Sequence, residues 1–273
     1  WSWATWGIAG LEPWAWLALC VGAAAALAPL PASGRAAGFV LVVAACVWRP
    51  MPPDTGAVRF TMLDVGQGLA AVVETRHHVL VYDAGPAFRS GSDAGAMAVE
   101  PFLRHRGVRQ VDMLVASHDD LDHAGGAASV AGLVPVRRLF ASGQALDTVG
   151  EVESCRRGNR WDWDGVTFEW LHPGPRRFEK DNDNSCVMRV RSGHHAVLLT
   201  GDIERLAEAE IVGSGRLAHV DVVLVPHHGS RTSSTPAFVA ATRPRWALVP
   251  SGHRNRWGFP KPDVVERWQS AGA

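Results

Sequence analysis

The chain has 273 residues, 27 basic and 27 acidic, so it carries no formal net charge, and 47% of its residues are hydrophobic against 20% charged. That size and balance allow one large or two small domains with a sizeable core, and they exclude a nucleic-acid partner announced by bulk charge alone. Its four cysteines lack CxxC spacing, which excludes a zinc ribbon. The chain starts at Trp1 and stops at Ala273 soon after a helical pattern, and so reads as a piece of something longer.

Residues 8–30 contain one charged residue, Glu12, and after the connector PLPASGR residues 36–48 contain none. The pair reads as a transmembrane helical hairpin within residues 1–50. The first run is long enough for a ~30 Å hydrocarbon layer, whereas the second falls short of the ~20 residues a crossing needs. Trp1, Trp3, Trp6, Trp14, Trp16 and Trp48 suit an interfacial belt, and the absence of a basic segment before the first run argues against a signal peptide. Two buried helices of a large soluble protein are the alternative. With only Arg35 and Arg49 nearby, charge does not orient the pair.

Residues 49–56, RPMPPDTG, hold three prolines and a glycine and mark a boundary, so that a second domain runs over 57–273. It opens with strand-like runs at 58–65, 69–75 and 79–83, spaced as an antiparallel meander. A helical stretch at 94–106 leads to the apolar run 111–116, and AASVAGL after Gly125 and Gly126 reads as a short helix. Strands are expected at 166–171, 186–190 and 196–200. Helix, strand, helix, strand, helix follow at 203–212, 220–225, 236–242, 246–250 and 261–269. This alternation is of an α/β kind.

The chemistry concentrates where strand 111–116 ends, in SHDDLDHAGG over 117–126. Three carboxylates this close repel one another unless a cation neutralises them, so the loop reads as a metal site rather than as a solvated turn. His118 and Asp120 extend from one side of the segment, while Asp122 and His123 point differently, which suits two neighbouring cations. LLTGDI brings Asp202 to another strand end, as a carboxylate bridging two ions or as a helix cap. PHHGSRTSS follows strand 220–225 with two histidines whose side chains diverge, so only one is expected to face a given ion.

Seven motifs in order, MLDVGQG, YDAG, SHDDLDHAGG, DNDNS, LLTGDI, PHHGSRTSS and SGHRN, resemble those of the ComEC family. In that family a metallo-β-lactamase-like domain belongs to the membrane channel of bacterial DNA uptake. HDDLDH stands where metallo-β-lactamase-fold hydrolases carry His-x-His-x-Asp-His, with Asp120 in place of the second histidine. The resemblance implies a metallo-β-lactamase-like αββα sandwich. Its metal ligands would be His118, Asp120, Asp122, His123, Asp202 and His227, with Asp122, Asp202 and His228 in catalysis and His228 as a proton or phosphate partner. Substrate would meet Asn184 and Ser185 of DNDNS, Ser230, Thr232 and Ser233 of PHHGSRTSS, and Ser251 and Asn255 of SGHRN.

No histidine stands in DNDNS, and His172 lies beside a Pro-Gly turn, so the expected ligand set is rich in oxygen. That favours manganese among divalent metal ions, two of them, with zinc or magnesium as alternatives. Phe259 occupies the position of the family's usual His-Pro histidine, which leaves leaving-group protonation to His253, His228 or water, or lowers activity. Cys155 and Cys186 are expected free and buried by default, a disulfide between them being the extracytoplasmic alternative. Basic residues at 137–138, 156–160, 176–180 and 243–256 are either a DNA track or ordinary surface charge.

The expected function is a two-metal nuclease acting on DNA, single-stranded above all, in the bacterial inner membrane with the lactamase-like domain on the periplasmic face. It would degrade the non-imported strand and work with other components of the uptake machinery. An inactive module that binds DNA or braces the channel, and a hydrolase of a small ester or lactam, are the alternatives.

Overall fold

The computed structural model describes residues 12–273. Trp1, Trp3, Trp6 and the first four residues of the 8–30 run lie outside the described residues. The chain divides into two compact units, one holding the N-terminal helices with Glu100–Arg109, the other Pro52–Val99 with Gln110–Ala273.

In the first unit, α1 (Pro13–Leu27) and α2 (Ala32–Val47) pack antiparallel. Pro13 opens α1 with its ring at N1, and Pro29 and Pro31 keep the next turn from continuing it. A Cβ on Gly22 would stand 2.7 Å from the Gly38 carbonyl oxygen and one on Gly38 2.6 Å from that of Gly22, so glycine is what lets the two backbones touch. The 15 and 16 residues of these helices rise only about 22–24 Å. Among the described residues no helix is long and apolar enough to cross a membrane. Of the expected transmembrane hairpin, the described residues form a pair of short apolar helices, with Trp14, Trp16, Leu17, Phe39 and Val40 exposed on their surface.

The second unit is a sandwich. Its first sheet orders β1 (Arg59–Met62), β2 (Ala70–Glu74), β3 (Val79–Ala84), β4 (Met113–Ala116), β5 (Leu139–Ala141) and β6 (Val152–Ser154) side by side. The first three are antiparallel, as the meander spacing predicts, and β3 to β6 are parallel. A π-helical turn (Gly95–Val99) follows β3, and α4 (Leu121–Ala124) and α5 (Ala127–Leu133) follow β4, whereas α3 (Glu100–His105) belongs to the first unit. The second sheet runs from β7 (Arg160–Trp163) through β8 (Val166–His172), β9 (Val187–Ser192), β10 (His195–Leu199) and β11 (Val222–Leu224) to β12 (Trp246–Leu248). Helices α6 (Arg205–Gly213), α7 (Pro236–Thr242) and α8 (Pro262–Ser270) complete it. Strands β5, β6 and β7 were not legible as strands, being three or four residues long, and β6 and β7 carry exposed, charged positions.

Alternate side chains of the two sheets meet in one core, with Leu80, Tyr82, Met113 and Val115 facing Phe168, Trp170, Met188 and Leu199. A second core forms where Ile203, Ala207, Phe238, Val264 and Trp268 of the helical layer cover Leu198, Val223 and Val225. Cys155 and Cys186 form a disulfide within the inter-sheet core, with Cα atoms 5.7 Å apart, which corrects the expectation of free thiols. The fold places the cysteine after β6 and the one before β9 opposite each other, a proximity no spacing reveals.

Asp164, at the β7–β8 turn, ties this hairpin to the β2–β3 turn of the other sheet. Its carboxylate accepts from Thr75 Oγ1 (2.6 Å) and the His77 amide (2.8 Å) and lies 3.0 Å from His78 Nδ1. Burial opposes ionisation, yet these bonds hold the carboxyl well below its ordinary range. A depressed folded value stabilises above the unfolded pKa and is lost as pH falls. Asp164→Asn is expected to lower unfolding stability by about 1–2 kcal/mol at pH 7, with the gap to the parent closing below about pH 4, as thermal denaturation over pH 3–7 will report.

Candidate metal centre

The parallel strands β4 and β10, with β11, deliver their C-terminal loops to one place, and there the histidines and aspartates converge. Two groups bring their ligand atoms within 4.8 Å of one another: His118, His123 and Asp202, and Asp122, His123 and His228. Asp202 Oδ1 lies 3.1 Å from His123 Nε2, and Asp202 Oδ2 and Asp122 Oδ2 each lie 3.2 Å from His228 Nε2. His118, His123, His228 and Asp202 are buried.

The outer nitrogens of these rings are already committed. His123 Nδ1 lies 2.8 Å from Asp83 Oδ2, and His228 Nδ1 lies 2.6 Å from the Pro250 carbonyl, so each ring turns Nε2 inward with a lone pair to give. Asp83 also accepts from the Ser117 amide (2.6 Å) and from Ser117 Oγ (2.7 Å), whose oxygen is 3.0 Å from His118 Nδ1. Asp83 thus orients two of the histidines, although YDAG drew no site assignment in the sequence. A lone aspartate at the end of the apolar strand VLVYDA was the available signal, since a carboxylate buried there needs donors.

His118 Nε2 and Asp202 Oδ1 are buried without a hydrogen bond. Leaving two such atoms unsatisfied costs stability, and a cation satisfies both at once, so the residues present fit a metal ion. His123 belongs to both groups but has one nitrogen to give, because Nδ1 is taken by Asp83. His118, His123 and Asp202 thus form one candidate group, and Asp122 and His228 a second that shares the same His123 nitrogen.

The structure does not bring together all of the expected residues. His227 stands outside both groups, with Nε2 3.9 Å from Asp202 Oδ2 and Nδ1 3.3 Å from Glu204 and 3.1 Å from Thr232 Oγ1. Both histidines sit in the left-handed region, at φ 49° and 54°, which splays them apart and turns His228 inward in place of His227. Asp120 lies 3.4 Å from His118 Nε2 but is 55% exposed, at the rim of the cluster. The third carboxylate of the loop, Asp119, accepts from the Gln144 and Ala145 amides and pins the turn after β5.

Most of the residues expected to meet substrate are spent on the backbone. Asn184 bonds Phe178 and Lys180, Asn255 bonds Gly252 and Phe259, and Ser233 Oγ donates to Pro226 and Ser230 carbonyls. Ser185 Oγ accepts from the Asp202 amide and positions that turn. Ser230 and Thr232 bond each other. These groups shape the loops, whereas Ser251 lines a cleft of about 480 Å³ beside the cluster, with Met62, Asp64, His253 and Phe259. The Phe259 ring stacks 6.2 Å from that of His228 and meets that of His227 edge-on at 6.0 Å, so it walls the site where a proton donor was expected.

Residues 63–253 match the Metallo-beta-lactamase superfamily. The chain belongs to that superfamily. Competence protein ComA of Neisseria gonorrhoeae is 37% identical to it over 96% of this chain and 34% of its own length. Recombination protein 2 of Haemophilus influenzae is 38% identical over 75% of this chain and 26% of its length, and ComE operon protein 3 of Bacillus subtilis is 29% identical over 76% and 30%. These relatives bear out the resemblance to the ComEC family. The chain spans about a third of the length of the competence proteins it matches. Among solved structures, Igni18, a metallo hydrolase from the archaeon Ignicoccus hospitalis, superposes with a TM-score of 0.53 at 16% identity, covering 78% of this chain and 92% of that one. A protein described as a metal-dependent hydrolase from Parabacteroides distasonis gives 0.52 at 12% identity, over 81% and 93%. These two likenesses carry the fold alone. The superfamily domain makes this a competence-related, hydrolase-like domain.

Burial pushes His123 down, but the Asp202 and Asp83 carboxylates outweigh it and hold the imidazole well above its ordinary value. His228 is raised in the same way, to about 9, by Asp202 and Asp122 against its burial. Burial likewise opposes ionisation of Asp202, but His123 and His228 keep it well below the carboxylate range. Without a cation the site holds protons at pH 7, so a metal must displace them. Metal affinity is expected to rise from pH 6 towards pH 9, with proton release measurable by calorimetry in buffers of different ionisation enthalpy. Asp83→Asn keeps the left-handed backbone at φ 57° and should weaken metal binding about 10- to 100-fold with an unchanged circular dichroism spectrum.

Proposed function

We propose that this domain is a metal-dependent phosphodiesterase that cuts DNA, single-stranded DNA foremost, at a bacterial uptake channel, and that it degrades the strand that is not imported. The observation that carries the reading is the cluster of buried His118, His123, His228 and Asp202 with half-buried Asp122, and its two unsatisfied ligand atoms. The competence and recombination names of the relatives point the substrate towards DNA.

His118, His123 and Asp202 would hold one divalent cation, and Asp122 and His228 with Asp202 a second. The cations would supply Lewis-acid polarisation of a phosphoryl oxygen and a nucleophile at neutral pH. The chain's own part is to fix the ligands through Asp83, Ser117 and the Pro250 carbonyl, to shield one side with Phe259, and to leave the Ser251 cleft open to substrate. Asp120, Asp122 and Asp202 beside three histidines make a set richer in oxygen than a typical zinc site, which favours manganese. The Cys155–Cys186 disulfide supports an oxidising compartment, hence the periplasmic face. The apolar pair α1 and α2 would belong to a membrane domain completed by chain beyond this one, alongside other components of the uptake machinery.

The second reading, a module that binds DNA without cutting it, is favoured by Phe259 in place of the family's histidine. Incubating the metal-loaded protein with end-labelled single-stranded DNA separates the two. Cleavage that chelator stops, and that Asp122→Ala and Asp202→Ala each reduce at least 10³-fold with the fold retained, is the expected result; full activity in either variant overturns it. Manganese should support faster cleavage than zinc at equal occupancy, and faster turnover with zinc refutes that preference. Cleavage of a small ester or lactam but not of DNA would move the substrate class.

A further inference from the structure

The exposed edge strands of the two sheets, β6 and β7, flank a groove of about 790 Å³ that takes no part in the metal centre. Its lining includes Arg138, Arg156, Arg160, Phe140, Trp161 and Trp170. Arg138 is held by a two-pronged bond to Glu153, 2.7 Å on each prong. Arg156 and Arg160 are exposed, and neither side chain bonds a carboxylate or carbonyl among the described residues. Trp161 stacks one face on Phe168, and its indole nitrogen has no hydrogen-bond partner. The groove therefore offers unneutralised guanidinium charge beside an aromatic wall.

Its place in the fold relates it to the metal centre. Strands β4 and β6 both run parallel to β5, so the metal loop after Ala116 and the groove residues after Ser154 emerge at the same end of the first sheet. Two strand spacings, about 10 Å, separate them across the sheet. The rim between is braced by Asp119 on the 144–145 amides, by Ser142 Oγ on the Ser117 carbonyl, and by Arg177 on the Ser142 carbonyl. Arg160 also borders a second groove of about 620 Å³, where Arg189 and Arg216 converge on Glu169 at 2.6 and 3.2 Å beside an exposed Arg191. Positive charge thus continues from the rim around the edge of β7.

We propose that the β6–β7 groove is a strand-binding site for single-stranded nucleic acid, with Arg156 and Arg160 on its phosphates and Trp161 as its apolar wall. It rests on the DNA reading above but not on cleavage. Guanidinium groups fit phosphate oxygens in a planar fork, and an aromatic wall accepts any base, which gives a sequence-tolerant grip. A strand held there would lie next to the metal centre, so the groove would set how tightly a long substrate binds without touching the reacting atoms.

The test uses the whole chain in chelator, where no cleavage occurs, and a fluorescein-labelled fifteen-nucleotide oligothymidylate as probe. Arg156→Glu/Arg160→Glu should weaken binding at least tenfold. Arg156→Gln/Arg160→Gln should lower the slope of log affinity against log salt by about 1.4, since each phosphate left without its guanidinium takes about 0.7 off that slope. Arg89→Glu/Arg245→Glu, exposed positions that line neither groove, should change binding less than twofold. With metal restored, the glutamine pair should raise KM for the oligonucleotide and leave kcat unchanged. Unchanged oligonucleotide binding in both Arg156/Arg160 pairs overturns the proposal, as does loss of binding to anionic lipid vesicles alone. Failure of the phosphodiesterase reading shows instead as absent cleavage by the parent protein and leaves the chelator measurement standing.

Discussion

The carboxylate of Asp83 is the constraint on which the site depends. It is fully buried at the end of β3, so it must be met by donors, and those donors are the Ser117 amide, the Ser117 hydroxyl and His123 Nδ1. One buried negative charge thereby fixes the start of the metal loop, the tautomer of His123 and, through Ser117, the ring of His118. Burying it is costly, and the cost is met only when all three partners are in place, which makes the geometry cooperative rather than a sum of separate bonds.

The sandwich is joined directly beneath that carboxylate. Tyr82, the residue before Asp83, donates its hydroxyl to the Cys186 carbonyl in the opposite sheet, and the Cys186 amide donates to the Ser117 carbonyl at 2.8 Å. The disulfide to Cys155 closes the same region. Two sheets that could slide as apolar layers are thus pinned where β3, β4 and β9 meet, so that Asp202 on one sheet faces His118 and His123 on the other. Gly68 completes the arrangement, because the Asp122 carbonyl accepts from Leu69 so closely that a Cβ on Gly68 would stand 2.2 Å away. Its φ of 129° is one that a larger residue resists.

The charge distribution of the second unit follows from what its neutral total conceals. Several arginines are spent on carboxylates, as Arg138 is on Glu153 and Arg157 on Glu210, and these contribute little to an outside field. Arg156 and Arg160 are not, and they stand by the β7 edge of the second sheet, with Arg191 of β9 bordering the same groove as Arg160. A net charge of zero is therefore compatible with a locally basic face, since a screening length of about 8–10 Å makes local rather than total charge the quantity that a phosphate strand meets.

Local sequence determined much of this protein. The apolar runs between turn residues determined the meander, and the run 111–116 determined a buried strand, because a strand buried on both faces is written as a short continuous apolar run. Pro236 and Pro262 at the starts of α7 and α8 marked those helices in the same way. The crowding of His118, Asp120, Asp122 and His123 announced a cation because carboxylate repulsion acts over a few residues of chain. What only the tertiary structure decided were the relations between distant segments. It turned His228 inward and His227 outward through two left-handed backbone conformations, spent Asn184 and Asn255 on their own loops, paired Cys155 with Cys186, and assigned Asp83 to hold His123. Each of these depends on which groups meet across the sheets, and burial and hydrogen-bond satisfaction are properties of neighbours in space that no spacing along the chain encodes.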